Sequence, residues 1–152
     1  MVFFLAALPV IVADQLTKTW IRSYSVGQTI FEAGFFRIVH VRNTGAAFGL
    51  FQDQFWLLTV AAIASIVLIL FFVLFISRRF PILDTIQDRL ALGLIFGGTI
   101  GNLADRLRFS YVTDFISVGI WPTFNIADSA ITIGAILFAY FFLSSSRTKD
   151  VF

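Results

Sequence analysis

The chain has 152 residues, 59% hydrophobic and 13% charged, with 20 Phe and a formal charge of +2 from 11 basic and 9 acidic side chains. A soluble domain carries about a quarter charged residues, and a chain this small has too little interior for so many apolar groups, so this is the composition of a membrane protein. With no Cys and a single His, disulfides, thiolate nucleophiles, Cys-based zinc sites and multi-His metal clusters are excluded, and no Lys/Arg run is long enough to track nucleic acid.

The first apolar stretch predicts a membrane helix over about residues 2–21, read as retained because no positive n-region or small-x-small cleavage site accompanies it. Asp14 and Lys18 near its far end are four residues apart, so they share a face and can pair as a helix-end ion pair near the headgroups. From residue 22 to 53 polarity rises. Phe35 to Arg42 has the alternating, β-branched and aromatic character of a short strand, and Asn43-Thr-Gly-Ala-Ala-Phe-Gly49 supplies small residues. Gly45, Ala46, Ala47 and Gly49 suit either a hairpin turn or the close approach of a bound backbone.

A second span is expected over about residues 55–76, which contain no charge and are long enough to cross about 30 Å of hydrocarbon. Arg78, Arg79 and Pro81 stop it, and a short polar connector makes the second and third spans antiparallel neighbours. The third span, about 90–107, carries Gly93, Gly97 and Gly101 at every fourth position, a small-residue stripe that lets another helix come close. Asp105 continues that stripe, and Asn102 and Arg106 are again four apart, so the helix ends in a polar cluster. For Asp105 beside Arg106 both a structural network and a catalytic role are open.

A second loop, about 109–123, ends at Trp121-Pro122, an interfacial aromatic followed by a rigid turn. The fourth span is expected over about 126–143. Asn125 and Asp128 are spaced as a capping box, and Arg147 and Lys149 follow the span. The fold class expected is therefore an all-α membrane protein, a four-transmembrane-helix bundle in a single domain over 1–152, with a small extramembrane β-rich loop between helices 1 and 2. Basic residues do not orient it: Arg78, Arg79, Arg89, Arg147 and Lys149 on one side nearly balance Lys18, Arg22, Arg37, Arg42, Arg106 and Arg108 on the other.

Connectivity brings Asp14, Asp105, Asp114 and Asp128 to one membrane face, together with the loop that bears Asn43. Ionisable groups at the edge of hydrocarbon are costly and mark functional sites. Two carboxylates held close share a proton, so that one can take a proton from water while the other gives one to a carbonyl oxygen. Such chemistry needs no metal and no cofactor. The competing reading is a small proton- or cation-coupled transporter subunit, although its relays belong nearer mid-bilayer. A scaffold docking through the glycine stripe is a third reading, and it leaves the carboxylates unexplained.

Asp14-Gln-Leu-Thr-Lys18, Asn43-Thr-Gly-Ala-Ala-Phe48, Gly101-Asn-Leu-Ala-Asp-Arg106, Val112-Thr-Asp-Phe-Ile116 and Phe124-Asn-Ile-Ala-Asp-Ser129 occur in this order over nearly the whole chain. In these motifs the chain resembles the lipoprotein signal peptidases, or signal peptidase II. The resemblance implies an aspartic endopeptidase of the bacterial inner membrane that removes signal peptides from prolipoproteins just before a diacylglyceryl-modified cysteine. It implies a catalytic pair at Asp114 and Asp128, with Asp14, Asn43, Asn102, Asp105, Arg106 and Asn125 lining or bracing the site; Lys18 and Gly45 join these as the partner of Asp14 and the close-approach glycine. It further implies cytoplasmic termini, a site toward the periplasmic or outer face, and a lipidated prolipoprotein and membrane lipid as partners; a monomer is expected. Two departures are visible. Asp128 follows Asp114 by only 14 positions, which predicts a reduced lid, and Thr113 stands where a second Val is common.

Overall fold

The computed structural model describes residues 1–45, 51–52, 54–76 and 85–147, with side chains through 144. Ala46, Ala47 and Gly49 of the small-residue loop, Arg78, Arg79 and Pro81 of the stop signal, and Lys149 lie outside the described residues. Helix α1 (Val2–Ile21) is followed by strands β1 (Thr29–Ala33) and β2 (Phe36–Asn43), then by α2 (Phe55–Phe71), which continues as a π-helical turn over Phe72–Ile76. Helix α3 (Ile86–Phe109), strand β3 (Val112–Val118) and helix α4 (Ile126–Arg147) complete the order.

Among the described residues, three helices are long and apolar enough to cross a membrane, Val2–Ile21, Phe55–Ile76 and Ile126–Ser144. Their outward faces expose large apolar side chains such as Leu8, Leu16, Val60, Leu68 and Ile136, the pattern of helices whose solvent is lipid. Helix α3 differs. It carries Asp88, Arg89, Asp105, Arg106 and Arg108 and buries much of its length, including Ala91, Leu92, Phe96, Gly97, Gly98 and Gly101.

Small residues let α3 be the helix against which the others pack. A Cβ on Gly97 would lie 2.7 Å from the Ala7 carbonyl oxygen of α1, and one on Gly134 of α4 would lie 2.7 Å from the Ala91 carbonyl oxygen of α3. Gly98 meets the backbone of Ala127 on α4 in the same way. The glycine stripe expected at 93, 97 and 101 thus faces α1, while Gly98 adds a second smooth face toward α4. Phe3, Ala7, Val73, Leu92 and Phe96 form the apolar core at the other end. Between lipid-solvated helices such contacts stabilise by close packing rather than by transfer from water.

Helix α3 starts with a capping box: the Asp88 amide donates to Thr85 Oγ1 at 3.1 Å, and the Thr85 amide donates to Asp88 Oδ2 at 3.3 Å. It stops at Ser110, whose φ of 63° lies in the left-handed region. That turn reverses the chain into β3 within two residues of the helix end.

The strands form one antiparallel sheet in the order β1-β2-β3. Gly34, at φ 60°, turns the β1–β2 hairpin, where Ala33 pairs with Phe36 across a two-residue loop. The strand expected from Phe35 therefore begins one residue later, because Phe35 belongs to the turn. Pairing of Asn43 with Val112 and Val41 with Asp114 joins the two polar loops into one layer and carries Asn43 to the carboxylates.

Candidate active site

Asp14 and Lys18 on one face of α1 and Arg22 at its C-cap follow the i, i+4, i+8 spacing that stacks side chains along a helix. Lys18 Nζ lies 2.9 Å from Asp14 Oδ2 and 3.7 Å from Asp105 Oδ2 of α3, and Arg22 Nη1 lies 3.2 Å from Asp105 Oδ1. Asp14, Lys18 and Asp105 are all 0% exposed. The pair expected at the headgroups is therefore enclosed between helices, because Gly101 leaves room for it: a Cβ there would sit 2.5 Å from Asp14 Oδ2. Asp14 Oδ1 accepts from the Ala127 amide at 3.0 Å, which pins the start of α4, and Asp105 Oδ2 accepts from the Thr113 amide at 2.9 Å, which pins β3. Asp105 pairs with Lys18 and Arg22 and braces the strand that carries Asp114.

In front of this layer lies an amide pair. Asn102 donates through Nδ2 to Asp128 Oδ1 at 2.7 Å, and its Oδ1 accepts from Lys18 Nζ at 2.8 Å. Asn125 donates through Nδ2 to Asp114 Oδ1 at 2.7 Å and to Asn102 Oδ1 at 3.2 Å. Its own Oδ1 accepts from the Asp128 amide at 2.9 Å, while its amide donates to Asp128 Oδ2 at 3.2 Å. The capping box read from spacing is thus present, and it does more than cap. Asn125 is bonded to both carboxyl groups, to one by side chain and to the other by backbone. Asn43 Nδ2 donates to the remaining oxygen of Asp114 at 2.8 Å, and Asn43 Oδ1 accepts from the Gly45 amide at 2.9 Å.

Asp114 and Asp128 both line a cavity of about 800 Å³, together with Asn43, Gly45, Asn102 and Arg106. Its other wall is largely apolar, with Trp121, Phe124, Ile131 and Ile133. Asp14, Lys18, Asp105 and Asn125 stand behind that lining. Arg106 contributes a cation to the wall and donates to the Gly45 carbonyl at 3.4 Å. Burial first, and then the charge of Asp128, push the Asp114 carboxyl up from 3.8 to about 7, against the lowering effect of the Asn43 and Asn125 hydrogen bonds and of Lys18. A carboxyl that keeps its proton near neutrality beside a second carboxyl is equipped for acid–base work.

The geometry adds residues that reading the sequence did not select. Gln15 Nε2 reaches Asp14, Asp105 and the Gly101 carbonyl at 3.1–3.3 Å. Arg22 Nη1 donates to Thr113 Oγ1 at 3.1 Å, an acceptor that Val at this position would lack. Spacing of eight from Asp14 was the available signal for Arg22, and for Gln15 the signal was its place within the motif from Asp14 to Lys18. Arg22 and Arg42 also lie over the rings of Phe109 and Tyr111, at 4.6 and 4.7 Å. Among the described residues no group of three or more His, Cys, Asp or Glu is placed to hold a metal ion.

Comparison with known proteins gives a consistent result. The family model described as signal peptidase (SPase) II matches residues 6–144. A lipoprotein signal peptidase of Dehalococcoides mccartyi is 48% identical over 151 residues, 98% of this chain and 93% of that protein. One from Moorella thermoacetica is 42% identical, covering 92% of this chain and 91% of its own. A bacterial membrane enzyme structure determined by the in meso method at 2.3 Å resolution superposes with a TM-score of 0.85 at 30% identity, covering 97% of this chain and 90% of that one. Nearly full-length identity at this level, on the fold and site described above, makes this membrane protein a member of the signal peptidase II family, and so a peptidase.

Proposed function

We propose that this protein is an aspartic endopeptidase that cleaves signal peptides from diacylglyceryl-modified bacterial prolipoproteins just before the lipidated cysteine. The observation that carries this reading is the pair Asp114 and Asp128, bridged by Asn125 and facing one cavity with an apolar wall. One carboxylate takes a proton from water as the water oxygen attacks the scissile carbonyl, and the protonated partner gives its proton to the carbonyl oxygen. Collapse of the tetrahedral intermediate breaks the C–N bond, with a proton passing to the leaving amine. The raised Asp114 carboxyl supports it as the proton donor. Asn43 and Arg106 offer donors to the substrate backbone, Gly45 leaves space for it, and Trp121, Phe124 and Ile131 receive the acyl chains. Asp14, Lys18, Asn102, Asp105 and Asn125 hold the pair in place.

In this reading α3 is the fourth crossing, its charges confined to its two ends and its middle enclosed by the other helices. The chain is then a single integral domain in the inner membrane, with cytoplasmic termini, the sheet and cavity at the periplasmic or outer face, and a monomeric working unit. A transporter using Asp14 and Asp105 as cation sites is disfavoured, since the Lys18 ammonium already occupies the space between them. The test is cleavage of a lipidated prolipoprotein by purified protein in detergent, against an unlipidated control. Cleavage of the lipidated form alone supports the proposal, and equal cleavage of both contradicts the assigned specificity.

A further inference from the structure

Lys18 is wholly enclosed, one helix removed from the cavity, and the chemistry just described does not use its charge. Neutralising Asp14 and Asp105 accounts for two of its contacts. The third is directed elsewhere. Nζ donates at 2.8 Å to the oxygen of Asn102, whose nitrogen donates at 2.7 Å to Asp128 Oδ1. The same Asn102 oxygen takes a hydrogen from Asn125, which gives its other to Asp114 Oδ1. One primary amide therefore connects the ammonium to both carboxyl groups, and its end-for-end orientation is fixed by the cation, since only the carbonyl oxygen can face Nζ. Two hydrogen bonds and one amide width put the ammonium within about 8 Å of Asp128 Oδ1.

We propose that Lys18 is a positioning residue for the reaction, acting through Asn102: its ammonium orients that amide toward Asp128 and holds the aspartate pair at one shared proton. The proposal rests on the aspartic reading above and adds an electrostatic role for α1. Among the described residues, the charged groups around Lys18 and the pair include Asp14 from α1, Arg22 at its C-cap, Asp105 and Arg106 from α3, Asp128 from α4 and Asp114 from β3. Arg22 is engaged by Asp105, and Arg106 interacts with Asp105, Asp114 and Asp128. Losing Lys18 thus leaves Arg106 of α3 and Arg42 of β2, the latter lying over the Tyr111 ring, as the cations lining the cavity of the pair among the described residues. At an effective dielectric constant of about 20, a unit charge at this range moves a carboxyl by roughly 1–2 pH units. Removing a positive charge disfavours the carboxylate, so the shift is upward.

The experiment is the pH dependence of kcat/KM for prolipoprotein cleavage in detergent, comparing the unaltered protein with Lys18→Gln and Lys18→Arg, each checked for folding by thermal unfolding. The acid limb of Lys18→Gln is expected to rise by about 1–2 pH units, so that the loss relative to the unaltered protein grows as pH falls and reaches about 10- to 100-fold below both limbs. Lys18→Arg, which keeps the charge, keeps the limb in place even if the rate falls. Loss by one constant factor at every pH in Lys18→Gln, with the limb unmoved, overturns the proposal. Should Lys18→Gln fail to fold, the double variant Asp14→Asn with Lys18→Gln leaves no unpaired charge at that contact, while Asp105 keeps Arg22. Its limb is expected to rise by less, because the Asp14 carboxylate, a like charge acting on Asp128 less strongly than Lys18 does, is lost with the cation and offsets part of the effect; an unmoved or lowered limb overturns the proposal there too. An active Asp114→Asn protein would instead refute the aspartic reading itself, whereas an inactive one combined with an unmoved limb in Lys18→Gln refutes only the role of Lys18.

Discussion

Replacing Asp114 by Asn should change stability with a sign that depends on pH. The native carboxyl is 1% exposed and sits near 7, against an ordinary value of 3.8. Between those values the unfolded chain has released the proton while the native protein still holds it, so native stability falls as pH rises and the loss is complete above about 7. The difference of roughly three pH units corresponds to about 4 kcal/mol. Asn at 114 carries no charge and avoids that loss. It also costs something, because Asn43 and Asn125 both aim N–H groups at the two oxygens. The new amide nitrogen faces one of them, a mismatch of about 1–3 kcal/mol. A protonated carboxyl avoids the mismatch by turning its hydroxyl hydrogen aside. Asp114→Asn is therefore expected to be less stable than the unaltered protein at pH 4 and more stable at pH 9. At about 2–4 °C per kcal/mol, the thermal midpoint at pH 9 should rise by several degrees. Thermal unfolding in detergent across this range measures it. Equal destabilisation at both pH values would refute the view that burial and Asp128 raise the Asp114 carboxyl.

If Asp114 is the proton donor, kcat/KM for prolipoprotein cleavage falls above about pH 7 as that carboxyl ionises, and a flat profile from pH 6 to 9 would contradict the assignment. Gly101→Ala drives a methyl group against Asp14 Oδ2 and should destabilise by about 1–3 kcal/mol, seen as a lower thermal midpoint. Thr113→Val removes the hydroxyl that accepts from Arg22 and should cost about 1 kcal/mol while leaving kcat near its starting value. Gly45→Val places a branched side chain on the cavity wall, so processing should fall more than the yield of folded protein; equal loss of both would show a folding role instead.

Local spacing made part of this site readable from the sequence. Asp14 with Lys18, Gly93 with Gly97 and Gly101, and Asn125 with Asp128 are each set by the period of one helix, and the structure shows all three arrangements. What the spacing did not reveal depends on chain segments far apart. Lys18 was expected near the headgroups and is wholly buried because α3 presents Gly101 to Asp14. Strand β3 was not expected as a sheet member, since its pairing with β2 joins residues some seventy positions apart, such as Val41 and Asp114. Gln15 and Thr113 join the network through contacts 86 to 91 positions away in sequence. The family resemblance separated Asp114 and Asp128 from the other aspartates; physically, those two face the cavity, whereas Asp14 and Asp105 are occupied by Lys18 and Arg22.

The central claim, that Asp114 and Asp128 together perform the hydrolysis, is tested most directly by cleavage of a lipidated prolipoprotein by the single variants Asp114→Asn and Asp128→Asn in detergent. Both amides keep the shape of the side chain and remove its ability to take up or release a proton. The account predicts that each variant folds and that neither releases signal peptide. Substantial cleavage by either folded variant would contradict it.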